Sequence, residues 1–220
     1  MWESSGTPIG RRAITSAKLK LTSMAREPHA SLVRRGLQLN YLSLGYNALE
    51  AVASIAAGLV AGSVSLTGFG IDSVVEVSAS VAAQWRLRSP TALAERATRR
   101  IVGVCFLALA AWVAYEAIET LVRRRAPERS IIGIIILALS AIIMPVLARA
   151  KRRVARSLES GALEAEAKQT SLCAYLSAIA LAGVALNTVL GWWWADPLAA
   201  LAMTPIIAKE GLEGVAVSTA

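Results

Sequence analysis

Apolar residues along the chain gather into six long blocks, separated by short polar or basic stretches. Such clustering marks a membrane bundle rather than one soluble core, because a helix needs roughly 20 apolar residues to cross the hydrocarbon layer. The blocks run from about Leu39 to Ala61, Val64 to Trp85, Ile101 to Val122, Ile131 to Leu147, Gln169 to Leu190 and Asp196 to Ile207. Gly62-Ser63 reads as a tight turn between the first two, and the fifth is expected to begin as a water-exposed helix several residues before Gln169. The expected fold is all-α: a polytopic membrane protein with a six-transmembrane-helix bundle over residues 37–213. A basic segment without fixed structure precedes it over 1–36, and a short tail over 214–220 follows.

Composition agrees with this picture. The chain of 220 residues is 55% hydrophobic and 17% charged, where a soluble domain carries about 25% charge. A net charge of +8 does not point to nucleic acid, since no basic stripe is interleaved with aromatics. Its place is at the membrane surface: with six spans, one side holds 19 of the 23 basic residues and the other holds Arg123, Arg124, Arg125 and Arg129. The basic side, with both termini, is expected to be cytoplasmic, in the cell (inner) membrane. Trp192, Trp193 and Trp194 mark the opposite interface. Cys105 and Cys173 lie in apolar blocks, so no disulfide framework is expected. His29, alone in the polar N-terminal segment, is given no role. That segment lacks the apolar core of a signal peptide, and Met24 is a second plausible start.

Candidate chemistry lies in acids placed where acids are costly. An ionisable side chain near the bilayer centre costs about 2.5–3.5 kcal/mol on insertion scales. Glu50, Asp72, Glu76, Glu116 and Glu119 all lie within apolar blocks. Asp72 and Glu76 are four residues apart, on one helix face one turn from each other. Like charges so placed repel unless a cation lies between them or one is protonated, and two such oxygens are half of a tetrahedral divalent-metal site. The plainer alternative is a polar helix–helix contact with both acids protonated. Asn47 and Glu50 share a face and are candidates for an outer ligand, a proton relay or packing. Glu116 and Glu119 are expected to pair with Arg123–Arg125.

The stretch Gly62-Ser63-Val64-Ser65-Leu66, followed by Asp72-Ser73 and Glu76, resembles the second transmembrane helix of the cation diffusion facilitator (cation efflux) family. That family carries a pair of aspartates there, three residues between them; Glu76 stands at the second. The family's other two ligands, His or Asp and then Asp, fall on Gln169 and Cys173 in the fifth block. Gly191-Trp192-Trp193-Trp194-Ala195-Asp196-Pro197 is similar to the family's entry to the sixth helix. The resemblance covers about residues 37–213. It implies a metal site at Asp72, Glu76, Gln169 and Cys173, proton antiport, and a homodimer. The family's usual cytoplasmic metal-binding domain has no counterpart after the sixth block. The chain reads as a divergent member without it.

With one thiolate among oxygen donors, such a site favours zinc, with cadmium or cobalt as alternatives, over magnesium or manganese. Metal would displace protons from the thiol and carboxyls. The leading expectation is therefore a divalent transition-metal exporter, proton-coupled by alternating access, with no tightly bound cofactor. Lipid, the metal ion and protons are its partners. A non-transporting scaffold or regulatory partner that keeps the fold is the alternative. No nucleophile–base pair, His cluster or phosphate loop points to an enzyme. Cys105 and Cys173 taken alone, and Gln169 taken alone, also read as packing or hydrogen-bonding residues.

Overall fold

The computed structural model describes residues 8–86, 92–159 and 161–216. Side chains are described from Ser31 on, apart from those of residues 79, 82–99, 161 and 162, so His29 and Met24 lie outside the described side chains. Among the described residues there are six helices and no strand: α1 (Pro8–Ala61), α2 (Val64–Arg86), α3 (Ala92–Val122), α4 (Ile131–Leu158), α5 (Gly161–Leu190) and α6 (Ala195–Ala216). The backbone from Pro8 is helical and continuous with the first span. This basic stretch is rich in Ala, Leu, Arg and Lys, which propagate a helix well.

Burial is inverted relative to a water-soluble protein. Leu49, Val52, Leu59 and Val60 of α1 and Ile131, Ile132, Ile135 and Ile142 of α4 face outward, while Glu50, Asp72, Glu76, Lys151 and Asp196 are buried. In a bilayer this is the favourable arrangement, because the solvent is as apolar as Leu and polar groups must be satisfied inside. The chain is an all-α polytopic membrane protein. Ser31–Ala61, Arg100–Val122, Ile131–Leu158 and Leu163–Leu190 are each long and apolar enough to cross a membrane on their own. The 23 residues of α2 and 22 of α6 are also long enough, at about 33–34 Å.

Helices α1 with α2, α3 with α6, and α4 with α5 form the most extensive pairs, and α2 also touches α3, α5 and α6. The helix carrying the acid pair is thus enclosed by neighbours. Small residues set the spacing of the pairs. A Cβ on Gly103 would stand 2.8 Å from the Gly211 carbonyl oxygen, and one on Gly211 would stand 2.9 Å from that of Gly103, so α3 and α6 touch backbone to backbone. Phe69, Val113, Leu137, Met144, Leu176 and Met203 fill the apolar core beside this seam.

At the tryptophan end the connections are short and tied together. Gly62 turns α1 into α2 with φ +62, a left-handed conformation that suits glycine. Asp196, at the start of α6, is fully buried against this turn. Its carboxylate accepts from Ser63 Oγ (2.6 Å), Val64 N–H (2.9 Å) and Ser65 Oγ. It thereby satisfies and charge-complements the N-terminus of α2. The α3–α4 connection is held through Glu128 N–H to Ala61 O (2.7 Å) and Asn187 Nδ2 to Pro127 O (3.1 Å). Trp192 and Trp194 stack at 5.2 Å. Glu119 pairs with Arg123 (3.0 Å) and Arg125 (3.6 Å), as expected for that acid.

At the opposite end, the fourth span was expected to stop near Leu147, but α4 runs on through the basic run to Leu158; α5 begins at Gly161, ahead of Gln169 as expected. A long helical hairpin therefore replaces a charged loop. It carries Lys151 into the bundle, where only 1% of the residue is exposed.

Candidate metal site

Helix α2 presents Asp72 and Glu76 toward α1 and α5 from consecutive turns. Helix α5 presents Cys173 toward the same point, and one ligand atom from each of the three residues lies within 4.8 Å of the other two. All three are buried, and Asp72 Oδ2 makes no hydrogen bond. A bare carboxylate oxygen enclosed in a membrane bundle is costly unless a cation or proton meets it. The donor set fits such a cation: two carboxylates and a thiol can supply three of four tetrahedral positions.

The sequence-derived residues converge here, in different roles. Glu76 is held from both sides. Asn47 Nδ2 of α1 donates to its Oε2 and Gln169 Nε2 of α5 donates to its Oε1, each at 3.1 Å. Gln169 therefore presents its amide nitrogen to Glu76, one step out from the centre where the sequence pattern places a ligand. Glu50 of α1 is 4% exposed. Its Oε2 lies 3.5 Å from Ser73 Oγ and 4.0 Å from Cys173 Sγ, and its Oε1 makes no hydrogen bond. Ser73 Oγ sits closer to its own helix, 3.2 Å from Phe69 O, so its single proton has a nearer acceptor. Glu116 has no part in this cluster. Cys105 lies on the exposed surface of α3 rather than in packing.

A second polar layer was not anticipated. Lys151 Nζ of α4 approaches Thr170 Oγ1 (3.2 Å), Glu166 Oε2 (3.5 Å) and Asn40 Oδ1 (3.5 Å), linking α4 to α5 and α1. Glu166 precedes Gln169 by three residues in α5, and Asn40 is two turns before Asn47 in α1, so this layer lies on the basic side of the acid cluster. In sequence, Lys151 is one cation among Arg149, Arg152 and Arg153, and nothing there distinguishes it. The signal available was the persistence of Ala and Val at helical spacing through that run. Asp196 was likewise read as the entry to the sixth block and not as the acceptor that fixes the first turn of α2.

Residues 94–219, more than half of the chain, match the sequence model of the cation efflux transmembrane domain. A protein of Synechocystis sp., named as an uncharacterized transporter, is 26% identical over 171 residues, covering 73% of this chain and 55% of the relative. The chain thus spans about half the length of that curated relative.

Proposed function

Because the chain belongs to the cation efflux family, we propose that it carries a divalent transition-metal cation across the membrane, by exposing one buried site to each side in turn. The observation that carries the reading is the trio of Asp72, Glu76 and Cys173, gathered within 4.8 Å and enclosed on α2 and α5. Two carboxylate oxygens and one sulfur match zinc, cadmium or cobalt better than magnesium, which prefers six oxygens in an octahedron.

The same donors would couple transport to protons. Thiolate and carboxylate bind metal only when deprotonated, so metal and protons compete for one set of atoms. A carrier that takes metal on one side and protons on the other exchanges them. Asn47 and Gln169 hold the Glu76 carboxylate from opposite sides, which fixes its oxygens for the ion. The basic ends of the helices, with the α4–α5 hairpin, would lie in the cytoplasm, and the tryptophan end would face outward. Export of metal from the cytoplasm is the direction this reading takes.

The test is flux. The purified chain would be reconstituted in liposomes loaded with a zinc-sensitive dye, under an imposed pH gradient, beside Asp72→Ala and Cys173→Ala. Zinc entry that is lost in Asp72→Ala, with altered preference among zinc, cadmium, cobalt and manganese in Cys173→Ala, is the expected result. A folded parent that moves none of these ions would sink the proposal and favour the scaffold reading.

A further inference from the structure

The trio leaves one coordination position of a tetrahedral ion without a protein donor, and the sequence pattern assigns it to Gln169. The geometry points elsewhere. We propose that Glu50 of α1 is the fourth protein ligand of the transported cation, and that Gln169 orients Glu76 without touching the metal. This rests on the metal-site reading given above and deepens it: the ion would be held by three helices instead of two.

Four observations converge on Glu50. It is buried in the span, where a carboxylate needs a counterpart. Its Oε1 has no hydrogen bond of normal geometry, although the hydroxyls of Tyr46 and Ser140 stand beside the carboxylate, and the neighbouring Asp72 Oδ2 has none either. Its Oε2 lies 4.0 Å from Cys173 Sγ. Metal–ligand bonds of about 2.0–2.3 Å place the oxygen and sulfur of a tetrahedral site roughly 3.5 Å apart, close to this separation; Glu50 stands just outside the 4.8 Å group of Asp72, Glu76 and Cys173, so α1 must bring its carboxylate inward to complete the site. Gln169, by contrast, has its amide nitrogen committed to Glu76 Oε1 at 3.1 Å, which leaves only a neutral carbonyl oxygen, a weaker donor for a divalent cation than the Glu50 carboxylate.

The resulting set is three carboxylates and one thiolate. With a divalent ion it carries surplus negative charge, which matters in a membrane. Lys151, buried beside Thr170, the residue next to Gln169, offsets part of it. The substrate class follows from this donor set: a four-coordinate divalent ion that accepts both oxygen and sulfur, as zinc, cadmium and cobalt(II) do. Soft monovalent copper, which prefers sulfur ligands throughout, is disfavoured. In transport, a ligand on α1 makes metal release depend on the separation of α1 from α2 and α5. A site on two helices alone would lack that dependence.

Cobalt(II) tests the proposal independently of flux. The full chain, purified in detergent in a Cys105→Ser background so that Cys173 is its remaining thiol, would be titrated with cobalt chloride. The parent should give a thiolate-to-cobalt band in the near ultraviolet and the intense visible bands of a four-coordinate ion. Glu50→Gln should keep the thiolate band, change the visible bands and weaken binding by more than roughly tenfold, the scale on which even partners of ligands act. Gln169→Leu should weaken binding while leaving the visible band positions unchanged. Should Glu50→Gln not fold, Glu50→Asp retains the charge but retracts the carboxylate by one methylene, and should still shift the visible bands. Parent-like spectra and affinity in the Glu50 variants, or visible bands that move in Gln169→Leu instead, overturn the assignment. A parent that binds cobalt without a thiolate band fails before Glu50 is changed, which overturns the trio and this proposal with it.

Discussion

Asp196 offers the most direct measurement of how the fold holds its acid-bearing helix. Its carboxylate accepts three hydrogen bonds, from Ser63 Oγ, Val64 N–H and Ser65 Oγ, in a fully buried setting. In Asp196→Ala all three donors lose their acceptor. An unsatisfied buried donor costs about 1–3 kcal/mol. The two hydroxyls can rotate toward other acceptors, but the Val64 N–H is fixed by the helix, so a total loss of about 3 kcal/mol is expected. Asp196→Asn keeps one acceptor oxygen and sets an NH2 group against a donor. It also removes a charge that favours the helix N-terminus by about 0.3–2 kcal/mol. Its loss should be the smaller, about 1–2 kcal/mol. Both variants can be ranked against the parent by denaturant titration in detergent, followed by loss of helical circular dichroism. Because the clamp fixes the start of α2, and with it Asp72 and Glu76 two to three turns on, cobalt affinity should fall in the same order. If Asp196→Ala unfolds with the parent, or Asp196→Asn is the weaker of the two, the clamp does not carry the stability assigned to it.

The backbone contact of α3 with α6 predicts that Gly103→Ala destabilises by about 1–3 kcal/mol, the usual cost of overpacking. Gly211→Ala should cost a similar amount, and the double variant less than the sum, because both insert a methyl into one contact; strict additivity in the same titration would count against a shared contact. The Lys151 layer predicts an asymmetry. Lys151→Met removes a buried charge and leaves Glu166, whose side chain is 26% exposed, able to hydrate, so stability should change by less than about 1 kcal/mol. Glu166→Ala leaves the ammonium buried with only the neutral Thr170 and Asn40 in hydrogen-bond reach and should cost about 3–5 kcal/mol. Equal losses for the two would mean that the pair, not the stranded lysine, sets the energy.

How much of this was legible in the sequence differs by element. The ends of α1, α2, α3 and α5 at the tryptophan side were readable because apolar runs of spanning length stop there at Gly62, at the Arg123–Arg125 run and at Gly191, and each stop has a local cause. The basic ends were not. Whether a run such as Arg149–Arg153 forms a loop or continues a helix depends on what its neighbours cover, and α5 covers Lys151. The acid pair was legible for the same reason as the spans: a carboxylate in an apolar block is anomalous on its own, and a four-residue spacing fixes its face.

Sequence alone therefore determined the all-α membrane class, the face shared by Asp72 and Glu76, and the resemblance that linked Cys173 to them. These rest on local hydropathy, helical period and motif, which need no partner element. Tertiary structure decided which residues of other helices stand beside the acid pair, and for a physical reason. Glu50 and Cys173 are 123 residues apart in the chain, and no periodicity within either helix says which face of α1 meets α5. That was set by the close packing of the helices, which also turned Gln169 toward Glu76, drew Asp196 onto the α1–α2 turn and enclosed Lys151.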